Sequence, residues 1–218
     1  MSTDSLLLPP IRDLFLATGD AALILMSAQQ VGANWDSPSV CNELSIGALA
    51  YHLSRAITQV EVYLNEPTQE GRGISAGDYY AGISGLSDSQ SAVNIGVRSK
   101  SSAGSEDGQS KVVEDAGSCL DRLRITLQSE PADRVVGVFG GSVMQLDQYL
   151  LTRIVELTVH MDDLAESAII SLPDIPPEAY VIAIGTLVQT ASVRHGSKAV
   201  LRALARPDRT DSKVLEVF

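Results

Sequence analysis

Glu156 and His160 stand four residues apart in the stretch Gln145–Ser167, QLDQYLLTRIVELTVHMDDLAES, and on a helix that spacing points both side chains the same way. A carboxylate and an imidazole so placed are metal-ligand groups. Leu146, Leu150, Ile154, Leu157, Met161, Leu164 and Ala168 form one apolar stripe of the same helix. Gln145, Tyr149, Thr152, Glu156, His160 and Asp163 form a polar line that borders this stripe rather than lying opposite it. A solvated face has no need of a histidine and two carboxylates at the edge of a core, so the line reads as a site.

A third candidate, His52, lies in another helical pattern, LSIGALAYHLSRAITQVEVYL, which Asn42 or Ser45 is suited to cap and which runs to about Leu64. Ala48, Ala56, Leu49 and Leu53 surround its position, and an imidazole among such neighbours must be satisfied. A hydrogen bond to a neighbour would do so, and so would ligation, for which Glu156 and His160 supply the further groups.

The rest of the chain supplies elements that can bring these residues together. Pro9 and Pro10 precede a helical period that starts at Ile11 and continues to Gly32. The connector NWDSPSVCN, residues 34–42, holds Trp35, the sole tryptophan, which is expected to plug the end of a bundle. Residues 65–108 are polar and rich in Gly and Ser, with a short helix expected at Ala92–Lys100. Such a long connection often covers a site, although ordinary packing is the simpler role for Asp78, Tyr79 and Tyr80. A third long helix is expected over Glu106–Gln128, with Cys119 as a buried structural thiol on its apolar stripe. RVVGVFGGSVM, residues 134–144, suits a brief extended connector before the helix of Glu156. A fifth helix is expected over Glu178–Arg194, and a short sixth after Gly196.

These elements predict an all-α protein. Four long helices with a long crossover form a bundle over residues 1–172, and residues 173–218 form a helical extension packed on it. The 218 residues suit one principal domain, and 44% hydrophobic residues with 5% aromatics favour helices over an aromatic-rich sandwich. The balance of 16 basic against 27 acidic residues, a formal charge of −11, argues against nucleic acid. Arg194, Lys198, Arg202, Arg206, Arg209 and Lys213 make the end basic, and docking against the acidic body is the simplest use for them. Cys41 and Cys119 form no paired framework, the amino terminus lacks a basic leader, and no apolar run reaches membrane-spanning length. A reduced, cytoplasmic protein without a membrane partner is expected.

The pairing of NWDSPSVCNELSIGALAYHL with TRIVELTVHMDDLAES resembles the metal-binding amino-terminal domain of mycothiol-dependent maleylpyruvate isomerases, within the DinB-like superfamily of four-helix bundles. The likeness runs over most of Ile11–Ala168 and rests on the tryptophan connector, the histidine of the second helix and the Arg, Glu, His, Asp-Leu order of the fourth. It implies a divalent metal, usually zinc though nickel or another ion is compatible, held by His52, Glu156 and His160. Members with an assigned activity use the metal to activate a low-molecular-weight thiol, mycothiol or a similar one, for transfer to or isomerisation of a small electrophile. Two histidines and one carboxylate leave an open coordination position, as catalytic rather than structural zinc requires. Asp163 would orient a ligand histidine or close the coordination shell, and Arg153 would pair with a carboxylate or hold an anionic substrate. The alternatives are a non-catalytic metal-binding or sensing protein and a metal-assisted hydrolase. A homodimer through an exposed apolar face of the first or fifth helix is compatible with the pattern.

Overall fold

The computed structural model describes residues 9–41, 43–86, 88–206, 208 and 212–217. Its frame is four long helices: α1 (Ile11–Met26), α3 (Ile46–Leu64), α6 (Gly108–Ser129) and α7 (Leu146–Ala168). Each packs on two neighbours, α1 on α6 and α7, and α3 on the same two, which gives the all-α, DinB-like bundle. The seven apolar positions of α7 are all buried, together with Phe15 and Met26 of α1, Leu49, Leu53 and Ile57 of α3, and Leu120, Leu123 and Leu127 of α6. Arg12 ties three of these helices together. Its guanidinium donates to Asp147 at 2.8 Å, to the Leu127 carbonyl at 2.8 Å and to the Glu130 carbonyl at 2.6 Å.

The first helix is shorter than its period suggests. It stops at Met26, and a separate turn, α2 (Gln29–Ala33), follows after Ala28 adopts an extended conformation. Ser27 turns its hydroxyl back to the Leu23 carbonyl, while Gln109 of α6 donates to the carbonyls of Met26 and Ala28 on either side of the break. Side-chain partners for the backbone groups at a break are what make it tolerable inside a packed protein.

Serine opens three further helices by accepting an N–H of the first turn: Ser45 for α3, Ser75 for α4 (Ala76–Gly82) and Ser91 for α5 (Ala92–Ser105). Asn42, the other cap candidate for α3, lies outside the described residues. The crossover is therefore structured: α5 covers α3, and α4 sits against α7 and the later helix α8 (Pro177–His195). Gly104 lets α5 approach closely, since a Cβ there would lie 2.0 Å from the Tyr51 ring of α3. Trp35 lies flat against Gly47 of α3, where a Cβ would fall 2.5 Å from the indole, and its N–H donates to the Ser105 carbonyl at 3.0 Å. It seals the junction of α3 and α5.

The extended connector before α7 is a paired hairpin, β1 (Val135–Gly137) with β2 (Val143–Gln145), turned by Gly140 and Gly141 at positive φ. After α7, Pro177 opens α8, which is as long as α3, and Gly196 separates it from α9 (Ser197–Ala205). Arg194 does dock, but on backbone rather than on carboxylates: it donates to the carbonyls of Tyr80 at 2.8 Å and Val217 at 2.9 Å. Arg209 of the basic end lies outside the described residues. No helix among the described residues is long and apolar enough to cross a membrane.

Candidate metal centre

The seam between α3 and α7 carries the polar line. His52 on α3 and Glu156 and His160 on α7 meet there, with side chains 18%, 18% and 22% exposed. Nε2 of His52 is 3.8 Å from Glu156 Oε2, and Nε2 of His160 is 3.4 Å from the same oxygen. The two imidazoles stand edge to face with centroids 4.7 Å apart. These separations exceed a good hydrogen bond. They match the edges of a coordination shell, because ligand atoms about 2.1 Å from zinc at the tetrahedral angle lie roughly 3.4 Å apart. Nδ1 of His52 is buried without a hydrogen-bond partner among the described residues, an orphan that further marks this ring as incompletely satisfied by the protein.

Glu156 is held from its other side. Its Oε1 lies 2.8 Å from the Tyr80 hydroxyl, which is also 2.9 Å from the Thr152 carbonyl, so the hydroxyl proton is shared between two acceptors. Burial and the neighbouring carboxylate push the Tyr80 pKa well up, and the hydroxyl stays a donor. Oε2 is thereby left for the two imidazoles. His160 is fixed by Asp163, whose Oδ2 is 2.9 Å from Nδ1, a contact that orients the ring and turns its Nε2 edge toward Glu156.

The mycothiol maleylpyruvate isomerase N-terminal domain family matches residues 16–165, which include α3 and all but the end of α7. The chain belongs to this family. No curated protein and no solved structure matches the chain significantly. The match spans the triad, Tyr80, Arg153 and Asp163, so the mycothiol-related family assignment and the polar seam concern the same part of the bundle.

Charge at the seam is divided unequally between the two histidines. Burial dominates at His52 and lowers its pKa, so this imidazole is neutral. At His160 burial also opposes the charge, but the hydrogen bond to Asp163 and the nearby Cys41 and Glu156 outweigh it and raise the pKa well above the ordinary value. Glu156 shows the converse: burial favours its neutral form, yet the two imidazoles and Arg153 hold its pKa well below the usual carboxylate range. The seam thus favours a neutral His52 beside a charged His160 and an ionised Glu156.

Arg153 is not a close ion-pair partner. Its Nη2 is 3.9 Å from Glu156 Oε1, its Nε donates to the Thr152 hydroxyl at 3.1 Å, and its guanidinium lies over the Tyr149 ring at 4.8 Å. With its side chain 13% exposed, it is a fixed positive charge beside the triad, with N–H donors left over among the described residues.

One neighbour of the site, Tyr80, was expected only to pack, and another, Cys41, escaped sequence reasoning. Tyr80 lies in the polar crossover, on a helix too short to show a period; its one signal was Ser75 followed by Asp78, a capping pattern in which Ser75 accepts the Asp78 N–H at 3.1 Å. Cys41 lies in the loop before α3, beside His160 and Asp163, and nothing in the spacing of the sequence points there.

Proposed function

We propose that the protein is a metal-dependent enzyme that activates a low-molecular-weight thiol, mycothiol or a similar one, for transfer to or isomerisation of a small electrophile. His52, Glu156 and His160 would hold the divalent ion, with zinc the best fit to two imidazoles and a carboxylate. The observation that carries this reading is the convergence of two Nε2 atoms on one carboxylate oxygen at 3.8 and 3.4 Å, while the other oxygen is occupied by Tyr80. An ion bound with a free coordination position supplies Lewis acidity, which lowers the pKa of a thiol placed on it.

The remaining work falls to the chain. Tyr80 fixes which carboxylate oxygen faces the histidines. Asp163 orients His160 and keeps its proton on Nδ1. Arg153 offers unused N–H donors and a positive field that favours anionic groups of a thiol or electrophile near the triad.

Elemental analysis of the purified wild type beside His52→Ala and Glu156→Ala tests the metal. One tightly held equivalent in the wild type as purified and little in either variant is expected; equal tightly held metal in all three would remove the basis of the reading. Thiol consumption against a panel of electrophiles tests the chemistry, with loss of turnover in the same two variants expected. Turnover independent of thiol would instead assign a hydrolase, and metal without turnover a binding protein.

A further inference from the structure

His160 presents two faces, and the triad uses one. Its Nδ1 lies 2.9 Å from Asp163 Oδ2, and the three ligand atoms Cys41 Sγ, a His160 ring nitrogen and an Asp163 carboxylate oxygen lie within 4.8 Å of one another. The loop that carries Cys41 is anchored on both flanks. Val40 N–H donates to the Ser167 hydroxyl at 3.0 Å, and that hydroxyl donates to the Asp163 carbonyl at 2.6 Å, so the loop is pinned to α7 beside the cluster. Glu43, on the other side, pairs with Arg98 of α5 at 2.8 Å. Within the loop the Cys41 N–H donates to Ser39 Oγ at 3.2 Å, and that hydroxyl donates to the Leu44 carbonyl at 2.9 Å. The thiol is held in position by backbone contacts that do not involve the thiol. Cys41 is half-buried and the Asp163 side chain is 28% exposed, so solvent reaches the group.

We propose that Cys41, Asp163 and Nδ1 of His160 form a second, outer site for a thiophilic divalent cation, back to back with the inner triad and sharing His160. A thiolate, an imidazole nitrogen and a carboxylate are the mixed soft and hard donors that zinc, cobalt(II) and cadmium accept together. Occupation releases the Cys41 thiol proton and the Nδ1 proton to solvent, and it replaces the His160–Asp163 hydrogen bond. When both faces are occupied His160 bridges two ions as an imidazolate. The outer site is therefore the weaker and fills second. The inner site uses no atom of Cys41 or Asp163, so the outer one stands or falls separately.

Cobalt(II) titration of the full chain, followed by its near-ultraviolet thiolate-to-metal charge-transfer band and by equilibrium dialysis, tests the proposal. Wild type should take two equivalents, with the band growing as the second binds. Cys41→Ser should take one and show no band, while Cys119→Ser keeps both features. His52→Ala, which breaks the inner triad, should retain the band. No band in wild type at saturation would overturn the outer site and leave the inner reading untouched. A band that disappears in His52→Ala would also overturn it, since the thiol would then be serving the inner ion. A single equivalent whose band survives His52→Ala and is lost in Cys41→Ser would uphold the outer site and sink the triad reading.

Discussion

Two seams flank α3, and both combine a cysteine, a carboxylate and a cationic side chain, yet they do opposite things with them. On the α6 side, Glu61 and Arg122 form a two-pronged pair at 2.6 and 2.8 Å at the surface, and Cys119 lies beside it, 2% exposed. Burial pushes the Cys119 thiol up to about 12, so it is inert. On the α7 side, Glu156 has a bonded partner for one oxygen only, and two imidazoles face the other at distances too long for good hydrogen bonds. What distinguishes a candidate site from a surface ion pair is thus the satisfaction of its groups rather than the residue types. Donor sets completed by the protein are structural, and donor sets left aimed at a common point invite a ligand.

That contrast is most severely tried by removing the shared carboxylate. Glu156→Ala should abolish stoichiometric metal, a loss of affinity on the order of 100-fold or more since one of three ligands disappears, while circular dichroism still reports the helices. Retention of wild-type metal content would erase the difference between the two seams. A pH series comes next. His160 has a raised pKa in the ion-free fold, so the cation must displace its proton, and affinity should climb by up to about tenfold per pH unit until that pKa is passed. The same shift makes an opposite contribution to the ion-free fold. Its stabilisation is complete below the ordinary imidazole pKa of 6.5 and is lost as pH rises through the raised folded value. Calorimetry in buffers of different ionisation enthalpy should register proton release on binding; none at neutral pH would contradict the assignment of the proton to His160.

Tyr80→Phe sharpens the comparison more gently. It frees Glu156 Oε1, and metal affinity should fall about tenfold, the scale on which partners of ligand groups act. An unchanged dissociation constant would mean that Tyr80 only packs. Cys119→Ser should leave metal binding intact and lower unfolding stability by about 1 kcal/mol, because a buried hydroxyl is less well accommodated than a thiol. Arg122→Ala, at the surface of the same seam, should leave both the melting temperature and the metal content at wild-type values.

Much of the frame was legible because local periodicity wrote it. The stripe of α7 is a single-helix pattern that the tertiary structure buries as read, and α3 and α6 differ from expectation by only a residue or two at their ends. Breaks were less legible. The period of α1 runs smoothly past Ser27, and the interruption there depends on Gln109, more than eighty residues away. The helix α4 was illegible because seven residues are too few to display a helical period beyond a doubt.

By itself, then, the sequence determined that Glu156, His160 and Asp163 share one face of a helix at the margin of a core, since their register follows from 3.6 residues per turn alone. It also placed His52 on a second amphipathic helix, without fixing the distance between the two. Only the tertiary structure decided that α3 packs on α7 in the register that aims His52 at Glu156, that Tyr80 closes the carboxylate from behind, and that the loop pinned through Ser167 delivers Cys41 beside His160 and Asp163. Each of these depends on contacts between segments distant in the chain, and local periodicity carries no record of such contacts.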